Sequence, residues 1–315
     1  MSIPQYAQTE LQLPAMASWP ASVHLFDERQ RQALRAAEAA GRPLLVRGDP
    51  GVGKSQLAHA AAVAAGRLFL PYVVDSRTEA TDLMWRYDAV ARLADAHLCG
   101  VPGSTLERGL AAKHYVQPGP LWWAFDWSGA QHQCTLLQAP PAPPVQPVGW
   151  TPKQGCVVLI DEIDKAEAEL PNGLLEALGN GGFHVPLAQT TVRRNSGQPP
   201  PLVIITTNEE RELPAPFVRR CLVLNLKLPE GEALLSYFVQ RGTLHFPELA
   251  QQHFDVLASA AQLLLQDRAQ AREACVYEPG LAEYLDLLRA LAQLGGNDPG
   301  ALLSELRNFV YLKQA

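Results

Sequence analysis

Residues Gly48 to Ser55 read Gly-Asp-Pro-Gly-Val-Gly-Lys-Ser and follow the apolar run Pro43-Leu44-Leu45-Val46. Gly48, Gly51 and Gly53 leave the backbone free to curl so that successive N–H groups point inward at phosphate oxygens. Asp49, Pro50 and Val52 complete that loop. Lys54 adds a point charge for the β- and γ-phosphates, and the Ser55 hydroxyl can ligate Mg²⁺. Gln56 opens an Ala-rich, strongly helix-forming stretch that runs to a stop at Gly66. A helix N-terminus behind the loop adds a dipole that favours an anion. An accidental glycine-rich turn is the bland alternative, and it does not call for strand, loop and helix in register. The segment Gly48–Gln56 is therefore expected to hold a nucleoside triphosphate.

A second constellation is Val157-Val158-Leu159-Ile160-Asp161-Glu162, two carboxylates at the end of an apolar strand. In a doubly wound sheet that end is where ligands bind. Asp161 suits the Mg²⁺ shell, since Mg²⁺ takes few protein carboxylates and keeps its waters. Glu162, one residue beyond, suits a base that orients and deprotonates an attacking water. Alone, the pair reads equally as two solvated acids at a helix start; alongside the loop, catalysis is the expectation. Asn208 ends the run Ile204-Ile205-Thr206-Thr207 and can bond the γ-phosphate or the water, or simply terminate the strand. Arg219 and Arg220 precede the last apolar run, where a guanidinium can neutralise transition-state charge, although an isolated Arg-Arg is commonly a solvated surface feature.

These residues need elements to position them. Helix is expected over residues 27–41, then a strand into the loop, the Ala-rich helix, and a strand over 68–74. Residues 75–98 read as partly helical, interrupted near Trp85-Arg86-Tyr87-Asp88. Runs at 156–160 and 202–206 lack alternation and are separated by helix, the signature of a parallel sheet covered on both faces. A further strand is expected at 221–226, and helices at 234–241, 254–269, 280–294 and 299–312. The α/β part thus gives way to an all-α part near residue 228. Residues 1–24 are expected to be an N-terminal arm, irregular over 1–20, and 129–154, with Pro140, Pro141, Pro143 and Pro144, a loop-like Pro-rich insertion. The chain of 315 residues carries a formal charge of −6, which gives no electrostatic footprint for nucleic acid. No apolar run reaches the ~20 residues that cross a bilayer, and the start of the chain does not read as a signal peptide. Five scattered cysteines (Cys99, Cys134, Cys156, Cys221, Cys275) form no CxxC pair and read as reduced, mostly buried thiols of a cytoplasmic protein.

With these features in this order, the sequence resembles an AAA+ ATPase: Walker A at Gly48–Ser55, Walker B at Val157–Glu162, sensor 1 at Asn208 and an arginine finger at Arg219 or Arg220. It is more closely similar to the MoxR-like, helix-2-insert branch through Thr81-Asp82-Leu83-Met84-Trp85-Arg86-Tyr87-Asp88, Pro118-Gly119-Pro120-Leu121, Asp161-Glu162-Ile163-Asp164-Lys165-Ala166 and Leu174-Leu175-Glu176-Ala177-Leu178. The resemblance covers residues 25–228. It implies a P-loop three-layer α/β core around a parallel sheet with a small all-α lid at 229–315, ATP and Mg²⁺ as ligands, and a homo-oligomeric, often hexameric ring. The finger of one subunit would then reach its neighbour's nucleotide. It also implies a protein client, often one bearing a von Willebrand factor A domain; the present sequence shows none, so such a client is a separate chain.

The sequence departs from the family at the start of the third lid helix, where Val276-Tyr277-Glu278-Pro279-Gly280-Leu281 carries no sensor 2 cation. The nearest in sequence are Arg272 and Arg289. Two inserted segments, Lys113–Trp127 and an expected hairpin at 182–194 that carries Arg193 and Arg194, are implied to face the axis of a ring. The aromatic group Trp122, Trp123, Phe125 and Trp127 reads as packing rather than a grip on substrate. A remodelling ATPase is the leading expectation; a nucleic-acid motor and a slow, nucleotide-gated scaffold stand as alternatives.

Overall fold

The computed structural model describes residues 6–16, 19–98, 110–296 and 298–311. The chain divides into two compact units, one of Met1–Pro20, His24–Arg47 and Ser55–Leu224, the other of Ala21–Val23, Gly48–Lys54 and Asn225–Ala315.

The first unit opens on β1 (Glu10–Leu13) and β2 (Ser22–Leu25), which pair as a two-stranded sheet. Residues 10–13 are thus a strand within the stretch expected to be irregular. Leu11 and Leu13 are buried between exposed Glu10 and Gln12, a period of two short enough to be hidden by the surrounding polar residues. Helix α1 (Glu28–Ala40) starts on a capping box in which Asp27 accepts from the Gln30 N–H at 2.7 Å and the Gln30 side chain accepts from the Asp27 N–H at 3.1 Å. Strand β3 (Leu44–Arg47) leads into the glycine-rich loop and α2 (Lys54–Ala65), and β4 (Leu68–Val73) follows. Then come α3 (Ala80–Met84), the short β5 (Trp85–Tyr87) and α4 (Ala89–Leu98), an interruption where the sequence places one.

Strand β6 (Val116–Pro118) pairs antiparallel with β5, and α5 (Pro120–Phe125) and α6 (Trp127–Leu136) follow. Residues 129–136 are therefore helical and not loop. Asp126 caps α6 by accepting from the Gly129 N–H at 2.9 Å, while Trp127, Ala130 and Gln133 form its buried face. The Pro-rich residues beyond, 138–149, carry no helix or strand. Trp122, Trp123, Phe125 and Trp127 are all buried in the main core cluster, as packing requires.

Strand β7 (Cys156–Asp161) and helix α7 (Glu169–Asn180) precede a hairpin of β8 (Gly182–Val185) and β9 (Thr190–Arg193). Strand β10 (Leu202–Thr207), the short α8 (Ala215–Val218) and β11 (Leu222–Asn225) complete the series. The central sheet has the order β11-β3-β10-β7-β4, with β3, β10, β7 and β4 paired in parallel. The inner strands β7 and β10 are apolar without alternation because both faces are covered. In this order β3 and β7 flank β10, so the chain leaves all three at the same edge of the sheet.

The second unit holds α9 (Glu232–His245), α10 (Pro247–Gln252), α11 (Phe254–Glu273), α12 (Leu281–Leu294) and α13 (Pro299–Val310) around Phe238, Leu257, Leu264, Tyr284, Leu287 and Leu288. The sequence pattern misses α10, a single short helix opened by Pro247 at its first position. Among the described residues no helix is long and apolar enough to cross a membrane. Cys156 and Cys221 are buried, Cys134 is half-buried and Cys275 is exposed, while Cys99 lies outside the described residues. Burial pushes the Cys156 thiol up to about 12 and Cys221 to about 11, so both are inert thiols.

Candidate active site

The loop itself, Gly48 to Lys54, is built as the glycines demand. Gly48, Gly51 and Gly53 have φ of 146°, 78° and 93°. At Gly48 a Cβ would lie 2.3 Å from the Leu226 carbonyl oxygen, so no side chain fits there. The Lys54 ammonium is buried and donates to the carbonyls of Gly48 at 2.6 Å and Asp49 at 2.8 Å, which bends the loop around it. Tyr277, beside the start of α12, feels the Asp49 charge; burial, first of all, pushes its phenol up to about 12.

In the α/β unit the hydroxyl of Ser55, the residue after Lys54, donates to Asp161 Oδ1 at 2.7 Å. The same oxygen accepts from Thr206 Oγ1 at 2.5 Å, and that hydroxyl accepts from the Glu162 N–H at 2.9 Å. Thr206 is fully buried and so fixes both acids of the strand end at once. Glu162 sits in the left-handed region at φ 60°, which turns its side chain away from the β7 pleat. Its Oε1 faces Asn208 Nδ2 at 3.4 Å and its Oε2 accepts from Lys165 Nζ at 2.5 Å. That bond raises the Lys165 ammonium above the ordinary lysine range. Asp164, 2 % exposed, accepts at Oδ2 from the Asn208 N–H at 3.1 Å and the Glu210 N–H at 3.0 Å. It thereby ties the turn after β10 to the turn after β7.

The two arginines separate. Arg220 Nη1 reaches the Leu175 carbonyl at 3.4 Å. Arg219 makes no side-chain hydrogen bond among the described residues and lines a cavity of about 530 Å³ with Arg47, Thr207, Glu209, Arg211 and Glu212. Arg42 holds the backbone of both, donating Nε to the Arg220 carbonyl at 3.0 Å and Nη2 to that of Arg219. Arg47 pairs with Glu209 at 3.4 Å across β3 and the turn after β10.

Ser55, Asp161, Glu162 and Asn208 thus come together at one edge of the sheet. The amide oxygen of Gln56, the residue after Ser55, lies 3.4 Å from His24 Nδ1. The sequence reasoning missed Thr206, Asp164, Lys165 and Arg42. Only Asp164 carried a legible signal, as an acid two residues beyond Glu162. In the helical unit, Arg272 is paired with Glu278 at 2.9 Å and Arg289 with Asp286 at 2.7 Å. The cation next to the start of α12 is instead Arg268, which donates to the Pro279 carbonyl at 2.5 Å and pairs with Glu278 at 2.8 Å.

The oxygens of Ser55 and Asp161 are hard donors and fit Mg²⁺. Among the described residues no group of three or more His, Cys, Asp or Glu is placed to hold a metal.

The Lon protease homolog, mitochondrial, of Phaeodactylum tricornutum (strain CCAP 1055/1) is 27 % identical over 288 residues, 84 % of this chain and 26 % of its own length. The chain therefore spans about a quarter of that relative. Among solved structures, a protein of Cytophaga hutchinsonii solved as a candidate ATPase is 14 % identical, with a TM-score of 0.38 over 90 % of this chain and 79 % of that one. A RuvB variant of Thermotoga maritima is 16 % identical, with a TM-score of 0.46 over 89 % and 69 %. Residues 43–221, running from the residue before β3 to the residue before β11, match the family described as AAA domain (dynein-related subfamily). That match takes in both acidic turns and the glycine-rich loop over more than half of the sequence, and the chain belongs to this AAA family.

Proposed function

We propose that the chain is an ATP-hydrolysing AAA+ ring ATPase of the MoxR-like kind that remodels or activates a partner protein. The observation that carries the hydrolytic reading is the chain of bonds from Ser55 through Asp161 and Thr206 to Glu162. Gly48 to Lys54 would cradle the phosphates with backbone N–H groups and one ammonium, and Gln56 continues the helix behind them. Ser55 and Asp161 would hold Mg²⁺, which when bound neutralises phosphate charge. Glu162, oriented by its left-handed backbone and facing Asn208, would take the proton of the attacking water.

Arg219 is the better finger of the pair, because its guanidinium lines an open cavity while Arg220 is spent on a carbonyl of α7. Working across subunits, it requires a homo-oligomer, and a hexameric ring in the cytoplasm is the arrangement proposed. A client with a von Willebrand factor A domain, supplied as a separate chain, follows from the MoxR-like resemblance.

Lys54→Ala is expected to abolish nucleotide binding. Glu162→Gln should bind ATP as tightly as wild type, lose hydrolysis by about 10² or more, and lock the oligomer. Wild-type turnover by Glu162→Gln would refute the base assignment. Mixing the inactive Glu162→Gln and Arg219→Ala proteins should restore part of the activity if the finger acts in trans. Capture of a binding partner on ATP-locked Glu162→Gln, and not on Lys54→Ala, tests the remodelling role.

A further inference from the structure

The carboxylate of Glu162 is engaged at both oxygens, and the two contacts differ in kind. Asn208 offers a neutral amide to Oε1 at 3.4 Å, a long and weak contact; Lys165 offers an ammonium to Oε2 at 2.5 Å, short and charge-assisted. An oxygen bonded to an ammonium is a poorer proton acceptor, because protonating it forfeits that bond.

The Lys165 side chain is 42 % exposed and lies on a single 3₁₀ turn, Ile163–Lys165, so it is free to change partner. The charges of Glu210 and Asp164 act on it as well as that of Glu162. Asp164 is already committed to two backbone N–H groups. Glu210 differs: its backbone is pinned by Asp164, while its side chain is exposed and makes no hydrogen bond among the described residues. Glu210 is thus a second carboxylate whose charge the ammonium feels, on a backbone fixed by the residue that precedes Lys165. Asp161, the other acid nearby, already accepts from Ser55 and Thr206, and Arg47 and Arg211 are occupied by Glu209 and Glu167.

We infer that Lys165 is a latch on Glu162, its ammonium exchanging between the carboxylates of Glu162 and Glu210 and so setting how much of the time Glu162 is free to accept a proton. Lys165 is a positioning residue, and the inference rests on the reading of Glu162 as the base. A half-exposed ion pair is a small restraint, so the effect is modest and directional. Lys165→Gln is expected to raise kcat for ATP hydrolysis roughly two- to fivefold with KM unchanged, the scale of one exposed ion pair. Lys165→Arg keeps the cation and should return kcat toward wild type. Glu210→Gln removes the competing acceptor and should lower kcat when Lys165 is present, yet have no effect in the Lys165→Gln background. A kcat for Lys165→Gln at or below wild type overturns the latch, as does a Glu210→Gln effect that survives without Lys165. The Glu162→Gln protein, run in the same assay, separates the two ideas. If it hydrolyses normally, the base reading fails; if it is inactive and Lys165→Gln behaves as wild type, the latch alone fails.

Discussion

The corner at the β7 and β10 strand ends and the rim beside it are both built from polar side chains, under opposite rules. In the corner, Thr206 and Asp164 are buried and each side chain serves two partners through fixed bonds. On the rim, Arg219 is exposed and makes no side-chain hydrogen bond among the described residues, while the partly exposed Glu162 is held by one ion pair to Lys165 and one long amide contact from Asn208. A buried polar group is costly unless satisfied, so it is held to one geometry; an exposed one exchanges partners at little cost. The corner thus serves as a rigid mount, and the rim as the part whose side chains can change partner.

The contrast breaks most visibly at Arg219. Arg219→Ala should lower turnover on the order of 10³, the lower end of the range for arginine fingers. Arg220→Ala should cost far less, since it forfeits one long bond to a carbonyl. Neither substitution should shift the melting temperature by more than a degree or two, because both side chains are exposed. Equal losses of turnover from the two would sink the distinction drawn between them.

In the corner the signs reverse, with stability falling before any specific effect on rate. Asp164→Ala strands two backbone N–H groups and should cost about 2–4 kcal/mol in denaturant unfolding. Thr206→Val keeps the shape but removes the donor to Asp161 and the acceptor for the Glu162 N–H, for about 1–3 kcal/mol. It should also lower kcat, as both acids lose their common anchor. If Thr206→Val unfolds at the wild-type denaturant midpoint with unchanged kcat, the shared-anchor reading is wrong.

Legibility in the sequence follows the same divide. The glycine-rich loop, Asp161, Glu162 and Asn208 could be named because their types are out of place in apolar, strand-like surroundings. Thr206 could not, since a β-branched residue inside Leu202–Thr207 is what any strand would contain. Arg268 was passed over for Arg272 because sequence distance to Pro279 favours the latter, whereas the turn after α11 folds Arg268 back onto that carbonyl. The five-stranded parallel sheet was readable from unalternating apolar runs. The first two strands were not, because four-residue elements carry only two buried positions each. Helix α6 hid behind its neighbouring prolines, its one clear signal being Asp126 placed to cap it.

The helical unit offers a smaller test of the same rule, that burial fixes a group's state. His245, at the C-terminal end of α9, is held down to about 4, mainly by burial and then by the charges of Arg241 and Arg289. The folded protein therefore keeps this imidazole neutral at a pH where the unfolded chain, titrating near 6.5, already binds a proton. Above about pH 6.5 His245 adds no pH dependence; as pH falls from there toward 4, proton uptake by the unfolded chain pulls stability down. His245→Gln should flatten that part of the stability profile relative to wild type, measured as urea midpoints at several pH values in that window. Parallel profiles for the two proteins would mean that the imidazole is charged in the folded unit, and that a helix end which looks closed is open to water.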